Sequence, residues 1–120
     1  MTHVLLVDDD ADIRSVASLA MRLIGGLEVF AVASGEKALE EGPRVRPAIV
    51  VVDLMMPGMD GVETLRQIRG QSWGAEVSVL LMSARAREDD AEYLGLGFDG
   101  VISKPFDPVA LAERIKERAR

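Results

Sequence analysis

Ile49-Val50-Val51-Val52-Asp53-Leu54-Met55-Met56-Pro57-Gly58-Met59-Asp60-Gly61 joins an unbroken β-branched apolar run to a carboxylate and then to a turn. Four such residues without a polar break suit a strand covered on both faces. Pro57, Gly58 and Gly61 mark a tight loop before the next periodic segment. A carboxylate at the end of a buried strand is costly unless positive charge or hydrogen bonds offset its desolvation. Asp53 therefore asks what surrounds it.

The same grammar recurs along the chain. Val4 to Val7 is an apolar run ended by Asp8-Asp9-Asp10, and Asp10 or Asp12 can cap the helix that follows. In that helix Ile13, Val16, Ala17, Ala20, Leu23 and Ile24 recur at helical steps and form one apolar face, with Leu19 at its margin, up to Gly25-Gly26. Glu28 to Ala33 reads as a second strand. Ser34 caps a short helix over Glu36 to Glu41 that stops before Pro43. After the central strand, Val62, Leu65 and Ile68 give a third amphipathic helix ending at Gly70, and Gln71 to Glu76 is a loop carrying Trp73. Val77 to Met82 is a fourth strand, closed by Ser83. Arg85 to Leu94 reads as a polar helix in which only Ala86, Ala91, Tyr93 and Leu94 offer apolar contact. Val101 to Ser103 is a fifth strand, closed by Lys104-Pro105. Asp107-Pro108 opens a last helix with Leu111, Ala112, Ile115 and Ala119 facing inward, and its Arg114 to Arg120 end reads as a mostly solvated face.

Strand and helix thus alternate five times. That order implies a doubly wound α/β fold: a five-stranded parallel sheet with five helices on its two faces. At 120 residues, with no internal repeat, low-complexity tract or linker, one domain spanning 1–120 is expected. The net charge of −6 disfavours nonspecific binding to nucleic acid or to an anionic membrane. There is no cysteine and only one histidine, His3, which excludes disulfides, thiolate metal sites and multi-histidine metal sites. His3 reads as a strand-edge residue without chemistry. With no apolar run of transmembrane length and no signal-peptide layout, a cytoplasmic location is expected.

In an open α/β sheet, ligands bind beyond the carboxyl ends of the strands. The residues arriving there are Asp8, Asp9 and Asp10 after the first strand, Asp53 after the third, Ser83 after the fourth and Lys104 after the fifth. Two carboxylates about 4 Å apart repel by about 4 kcal/mol at an effective dielectric near 20, so this crevice needs cations. Lys104 supplies one charge, and a hard divalent ion with oxygen ligands, magnesium, supplies two more. A carboxylate beside magnesium and lysine can accept a phosphoryl group, because the cations neutralise charge on the group in transfer. The bland readings are fewer: Asp10 and Asp12 as caps, Asp60 as a turn residue, and Met55, Met56 and Met59 as packing.

Val7-Asp8-Asp9, Asp53 to Gly61, Ser83-Ala84 and Lys104-Pro105-Phe106 together resemble the receiver domain of two-component response regulators, of the chemotaxis-regulator type. The resemblance implies a flavodoxin-like fold with strand order 2-1-3-4-5 and makes Asp53 the phosphoacceptor. It makes Asp9 a direct magnesium ligand, Asp8 a ligand through water, and the Met55 backbone carbonyl a further ligand, beside Asp53 itself. Ser83 then hydrogen-bonds one phosphoryl oxygen and Lys104 pairs with another. Met55 and Arg85 flank the site and tune hydrolysis through water access. The resemblance further implies a cis bond before Pro105. The partners implied are a sensor histidine kinase or phosphotransfer protein as donor, and an output partner or downstream domain as recipient of the signal. The chemistry is self-directed, transfer to and hydrolysis from the domain's own aspartate, so no independent enzyme is expected. Two alternatives are an unphosphorylated interaction module and a hydrolase of similar fold. Asp8, Asp9, Asp53 and Lys104 count against the first. The absence of an Asp-x-Asp pair at Asp53 and of an inserted cap segment counts against the second.

One position departs from the pattern. Many receivers carry Tyr or Phe three residues before the lysine, where this chain has Val101, a stiff side chain with no ring to swing. Readout is therefore expected through the loop after Ser83 and the polar segment up to Leu94.

Overall fold

In the computed structural model, which describes residues 2–85, 87 and 90–119, all five residues of the central strand are buried. The elements are β1 (His3–Val7), α1 (Ala11–Leu23), β2 (Glu28–Val32), α2 (Gly35–Val45), β3 (Ile49–Asp53), α3 (Gly61–Arg69), β4 (Ser78–Ser83), α4 (Ala91–Gly95), β5 (Gly100–Ser103) and α5 (Pro108–Arg118). The strands form one sheet in the order β2-β1-β3-β4-β5, every pair parallel. Alternate residues face opposite sides, as the strand period requires. Val4, Leu6, Val51, Met82 and Ile102 pack with Ala17 and Met21 of α1 and Leu111 and Ile115 of α5. Leu5, Val7, Val50, Val52 and Leu81 pack with Ala38, Leu65 and Ile68 on the other face. Because β3 sits between β1 and β4 with helices on both faces, its sequence shows no alternation. The order of strands reverses between β1 and β3, so the ends of these two strands, Val7-Asp8 and Asp53, flank the crevice where such sheets bind ligands.

Three readings of the sequence need correction. In α1 the core takes Ala17, Ala20 and Met21, with Ile13 packed against them, while Val16, Leu19 and Leu23 point outward at 48%, 58% and 76% exposure. The small residues choose the face, since they let the helix approach the sheet, and Met21 fills the space they leave. The helix α2 runs through Pro43 to Val45 instead of stopping at Glu41. The usual clash between a proline ring and the preceding residue is relaxed because Gly42 has no Cβ. Gly42 is also the seat of Trp73: a Cβ there would lie 2.1 Å from the indole ring. Continuing the helix by this turn buries Val45, and Arg46, at φ 49°, ends it with its N–H donating to Gly42 O.

Among the described residues, the polar segment after Ser83 is helical from Ala91 to Gly95, behind an N-cap in which Asp90 accepts from the Glu92 N–H. Arg85 and Arg87 lie outside the helix, and Ala86, Glu88 and Asp89 lie outside the described residues. None of the residues of α4 is buried, although Tyr93 packs partly against the core. With so little apolar area holding it, α4 opens locally at low cost. Its amides are expected to exchange with deuterium at least tenfold faster than those of α1 or α5, measured by hydrogen-exchange mass spectrometry; equal protection would contradict this.

The last turns of α5 are mostly exposed, as the sequence indicates, but two of their arginines also reach the sheet. Arg114 donates to Val101 O at 2.6 Å and Arg118 donates to Asp99 O, so both cover the outer edge of β5. On the opposite edge Arg22 of α1 donates to Val29 O of β2 at 2.6 Å. Guanidinium groups thus occupy edge carbonyls that would otherwise offer a pairing template. The last arginine, Arg120, lies outside the described residues.

Smaller adjustments follow from hydrogen bonding. Asp60 is the N-cap of α3, accepting from the Glu63 N–H, and Asp10 caps α1 while Asp12 sits in its first turn. Ser72–Gly74 forms a 3-10 turn that carries Trp73. His3 begins an interior strand, packs edge-on against Phe30, and places Nδ1 2.8 Å from Val45 O.

Candidate functional site

β1, β3, β4 and β5 end at the same edge of the sheet and deliver Asp8, Asp53, Ser83 and Lys104 side by side. Lys104 follows β5 directly, and its backbone N–H donates to Ser83 O at 3.0 Å. The Lys104–Pro105 bond is cis, in line with the resemblance. From there the Lys104 ammonium donates to Asp8 Oδ2 and to Asp53 Oδ1, both at 2.9 Å. Asp8 is fully buried, Asp53 is 7% exposed, and the lysine side chain is also largely enclosed. Asp9 is exposed, yet carboxylate oxygens of Asp8, Asp9 and Asp53 lie within 4.8 Å of one another. Gly61 at the start of α3 is required here. A Cβ would lie 2.6 Å from Asp53 O and 2.9 Å from Leu54 Cα, so only glycine lets α3 begin against the end of β3.

The electrostatics follow from this packing. Burial pushes the Asp53 carboxyl above the usual carboxylate range; the hydrogen bond from Lys104 opposes the shift, and the charges of Asp8 and Asp9 add to it. For Lys104, burial acts to lower the pKa, but the hydrogen bonds to Asp53 and Asp8 outweigh it and the net shift is upward. A single ammonium therefore holds two buried carboxylates, and a third carboxylate stands beside them with no cation of its own among the described residues.

That shortfall is the test of a metal here. All donors are hard oxygens, which suit magnesium and not the softer transition metals. Asp8 Oδ1 already accepts from the Asp10 N–H at 2.9 Å and Oδ2 accepts from Lys104, which fits a contact through water better than a direct one. Among the described residues none donates to the Asp9 side chain or to Asp53 Oδ2, so these oxygens remain open to an ion. The residues present fit the group.

Ser83 is buried at the end of β4, and its Oγ accepts from the Arg85 N–H at 3.0 Å. Met55 lies in the loop two residues after Asp53 with its side chain exposed, and Arg85 is exposed on the other side. Val101 is completely buried in β5. Arg14 escaped the sequence reading. It reaches back from α1 and donates through Nη1 to Asp8 O at 2.8 Å. An arginine one turn into a helix carries no pattern that would single it out.

This fold and this cluster of residues at the switch point define a receiver. The chain belongs to the response regulator receiver domain family, whose model matches residues 4–116. It is 43% identical over 117 residues to the transcriptional regulatory protein CseB of Streptomyces coelicolor, covering 96% of this chain and 48% of that protein. The chain thus spans about half the length of the curated relatives it matches. Among solved structures it is similar to the chemotaxis response regulator CheY4 of Vibrio cholerae, with a TM-score of 0.88, 29% identity and coverage of 100% and 99% of the two chains. It is similar also to the receiver domain of sensor histidine kinase PA1611 from Pseudomonas aeruginosa, which holds a magnesium ion in the active site cleft (TM-score 0.84, 31% identity, coverage 98% and 96%).

Proposed function

We propose that the domain is a magnesium-dependent phosphoacceptor switch in which Asp53 takes a phosphoryl group from a phosphohistidine donor. The observation that carries this reading is the arrangement of Asp53 between Lys104 and the Asp8–Asp9 pair at the crevice between β1 and β3. Asp53 Oδ1 is held by Lys104, which leaves Oδ2 as the nucleophile. As the new P–O bond forms, the P–N bond of the donor breaks and its electron pair leaves with the imidazole. Lys104 is positioned to follow the charge onto a phosphoryl oxygen. Asp9, Asp53 and the Met55 carbonyl would hold magnesium directly and Asp8 through water. When bound, the ion supplies charge neutralisation for the transferring group.

The switch is read from Ser83. Its hydroxyl now anchors the following loop by accepting from the Arg85 N–H. Turning that hydroxyl toward a phosphoryl oxygen would release the loop, and the thinly packed α4 beyond it would move at low cost. Val101 supplies no ring for a swinging readout, so the β4–α4 connection carries the signal. Donor partners are a sensor histidine kinase or phosphotransfer protein. The output is a partner or downstream domain, by analogy with relatives named as transcriptional regulators. With its net charge of −6 the domain itself is not expected to bind nucleic acid, and it acts only on its own aspartate. No helix of the described residues is long and apolar enough to cross a membrane, which suits a cytoplasmic role.

Radiolabel transfer from a small acyl phosphate in the presence of magnesium tests the acceptor. The wild-type chain is expected to label and Asp53→Asn to show no signal above background. Equal labelling of the two would remove Asp53 from its role.

A further inference from the structure

The carboxylate of Asp9 has an unusual standing in this site. Asp8 is fixed at every polar atom: its N–H donates to Val32 O, Oδ1 accepts from Asp10, and Oδ2 accepts from Lys104. Asp53 is tied to Lys104. Asp9 is exposed, and no described residue donates to its side chain. With no side-chain partner among the described residues, only the placement of its backbone limits where the carboxylate can reach. The peptide that joins Asp8 to Asp9 is planar, so whatever holds the Asp8 carbonyl also holds the Asp9 nitrogen and limits where Asp9 can point. That carbonyl is held by Arg14 Nη1 at 2.8 Å. Arg14 in turn is anchored in α1, where its own N–H donates to Asp10 O at 3.0 Å.

We infer that Arg14 is a positioning residue for the magnesium site: through the Asp8 carbonyl it orients the Asp8–Asp9 peptide, and with it the Asp9 carboxylate, toward the ion. This rests on the proposed magnesium role of the cluster. Arg14 is not a ligand. Its charge should repel the ion, so its two possible influences on binding have opposite signs. If the charge dominates, removing it tightens magnesium binding. If the orientation of the peptide dominates, removing it weakens binding. Groups that hold metal ligands in place commonly contribute ten- to a hundredfold to affinity, and repulsion from a partly solvated charge is smaller.

Calorimetric titration with magnesium chloride separates these cases, using the wild-type chain, Arg14→Ala, Arg14→Lys and Asp9→Asn. Folding is checked by circular dichroism. Arg14→Ala is expected to bind magnesium about tenfold more weakly, and Arg14→Lys, with its charge kept but the planar donor lost, to fall between it and the wild type. Unchanged or tighter binding by Arg14→Ala overturns the inference. Should the alanine variant not fold, Arg14→Lys decides: weaker binding supports the inference and wild-type affinity overturns it. Asp9→Asn guards the premise. If it binds magnesium as well as the wild type, the metal site itself is misassigned and the role of Arg14 falls with it. If Asp9→Asn loses binding while both Arg14 variants keep it, only the role of Arg14 falls.

Discussion

Replacing Lys104 by methionine is expected to cost the metal-free domain about 3–5 kcal/mol, the range found when one partner of a buried ion pair is removed. Among the described residues Lys104 is the only cation hydrogen-bonded to the carboxylates of Asp8 and Asp53, at 2.9 Å each. Methionine keeps most of the volume, so the loss is electrostatic and not a cavity. Two consequences separate this from a general packing defect. The deficit should narrow at acid pH as Asp53, whose carboxyl burial already pushes upward, takes up its proton, and it should narrow again when Asp53→Asn is added, because one of the two carboxylates is gone. Urea denaturation of the single and double variants gives the coupling energy. A deficit below about 1 kcal/mol at neutral pH would mean that Lys104 is solvated and does not hold the site together. Magnesium should recover part of the loss by binding the folded state alone.

The site was legible in the sequence because every member of it follows the end of an apolar strand. An apolar run that stops at a polar residue is a sharp boundary, and Asp8, Asp53, Ser83 and Lys104 each mark one. In a parallel sheet all such boundaries fall on one edge, so position along the chain translated directly into proximity. Helices offered no such boundary. The α1 pattern supports two overlapping stripes, and the difference between them depends on how close Ala17 and Ala20 can come to the sheet, which is a tertiary fact. In α2 the proline rule gave way because Gly42 precedes Pro43 and because Trp73, distant in sequence, packs on that glycine. In the segment from Arg85 to Leu94, too few apolar residues are present for the sequence to place the start of the helix. Arg14, Arg22, Arg114 and Arg118 were misread or missed for a common reason. A guanidinium that donates to a backbone carbonyl leaves no mark on hydrophobic periodicity, so only the fold shows which carbonyls these arginines hold.

Asp53→Asn is expected to remove the phosphoacceptor and at the same time to stabilise the metal-free domain at neutral pH. Burial, together with the neighbouring carboxylates of Asp8 and Asp9, raises the pKa of Asp53 even against the Lys104 hydrogen bond. A folded pKa above the unfolded value means that the folded state holds the proton more tightly. The stability associated with Asp53 is then fully present below the unfolded pKa and is lost as pH rises through the folded one. At neutral pH the ionised side chain is a burden on the fold, and asparagine, nearly isosteric and uncharged, removes it while Lys104 keeps Asp8. A gain on the order of 1–3 kcal/mol is expected, the cost of an imperfectly compensated buried group. For a domain of this size that is a rise in Tm of several degrees. The advantage should shrink as pH falls between the raised pKa of Asp53 and the ordinary carboxylate value, since the protonated aspartic acid then resembles the amide. Saturating magnesium should also shrink it, because the wild type gains a ligand that the variant holds poorly. Thermal melts across pH, with and without magnesium, check all three. A variant less stable than the wild type at neutral pH without metal would mean that Lys104 already compensates Asp53 fully, leaving no strain for the ion or the phosphoryl group to relieve.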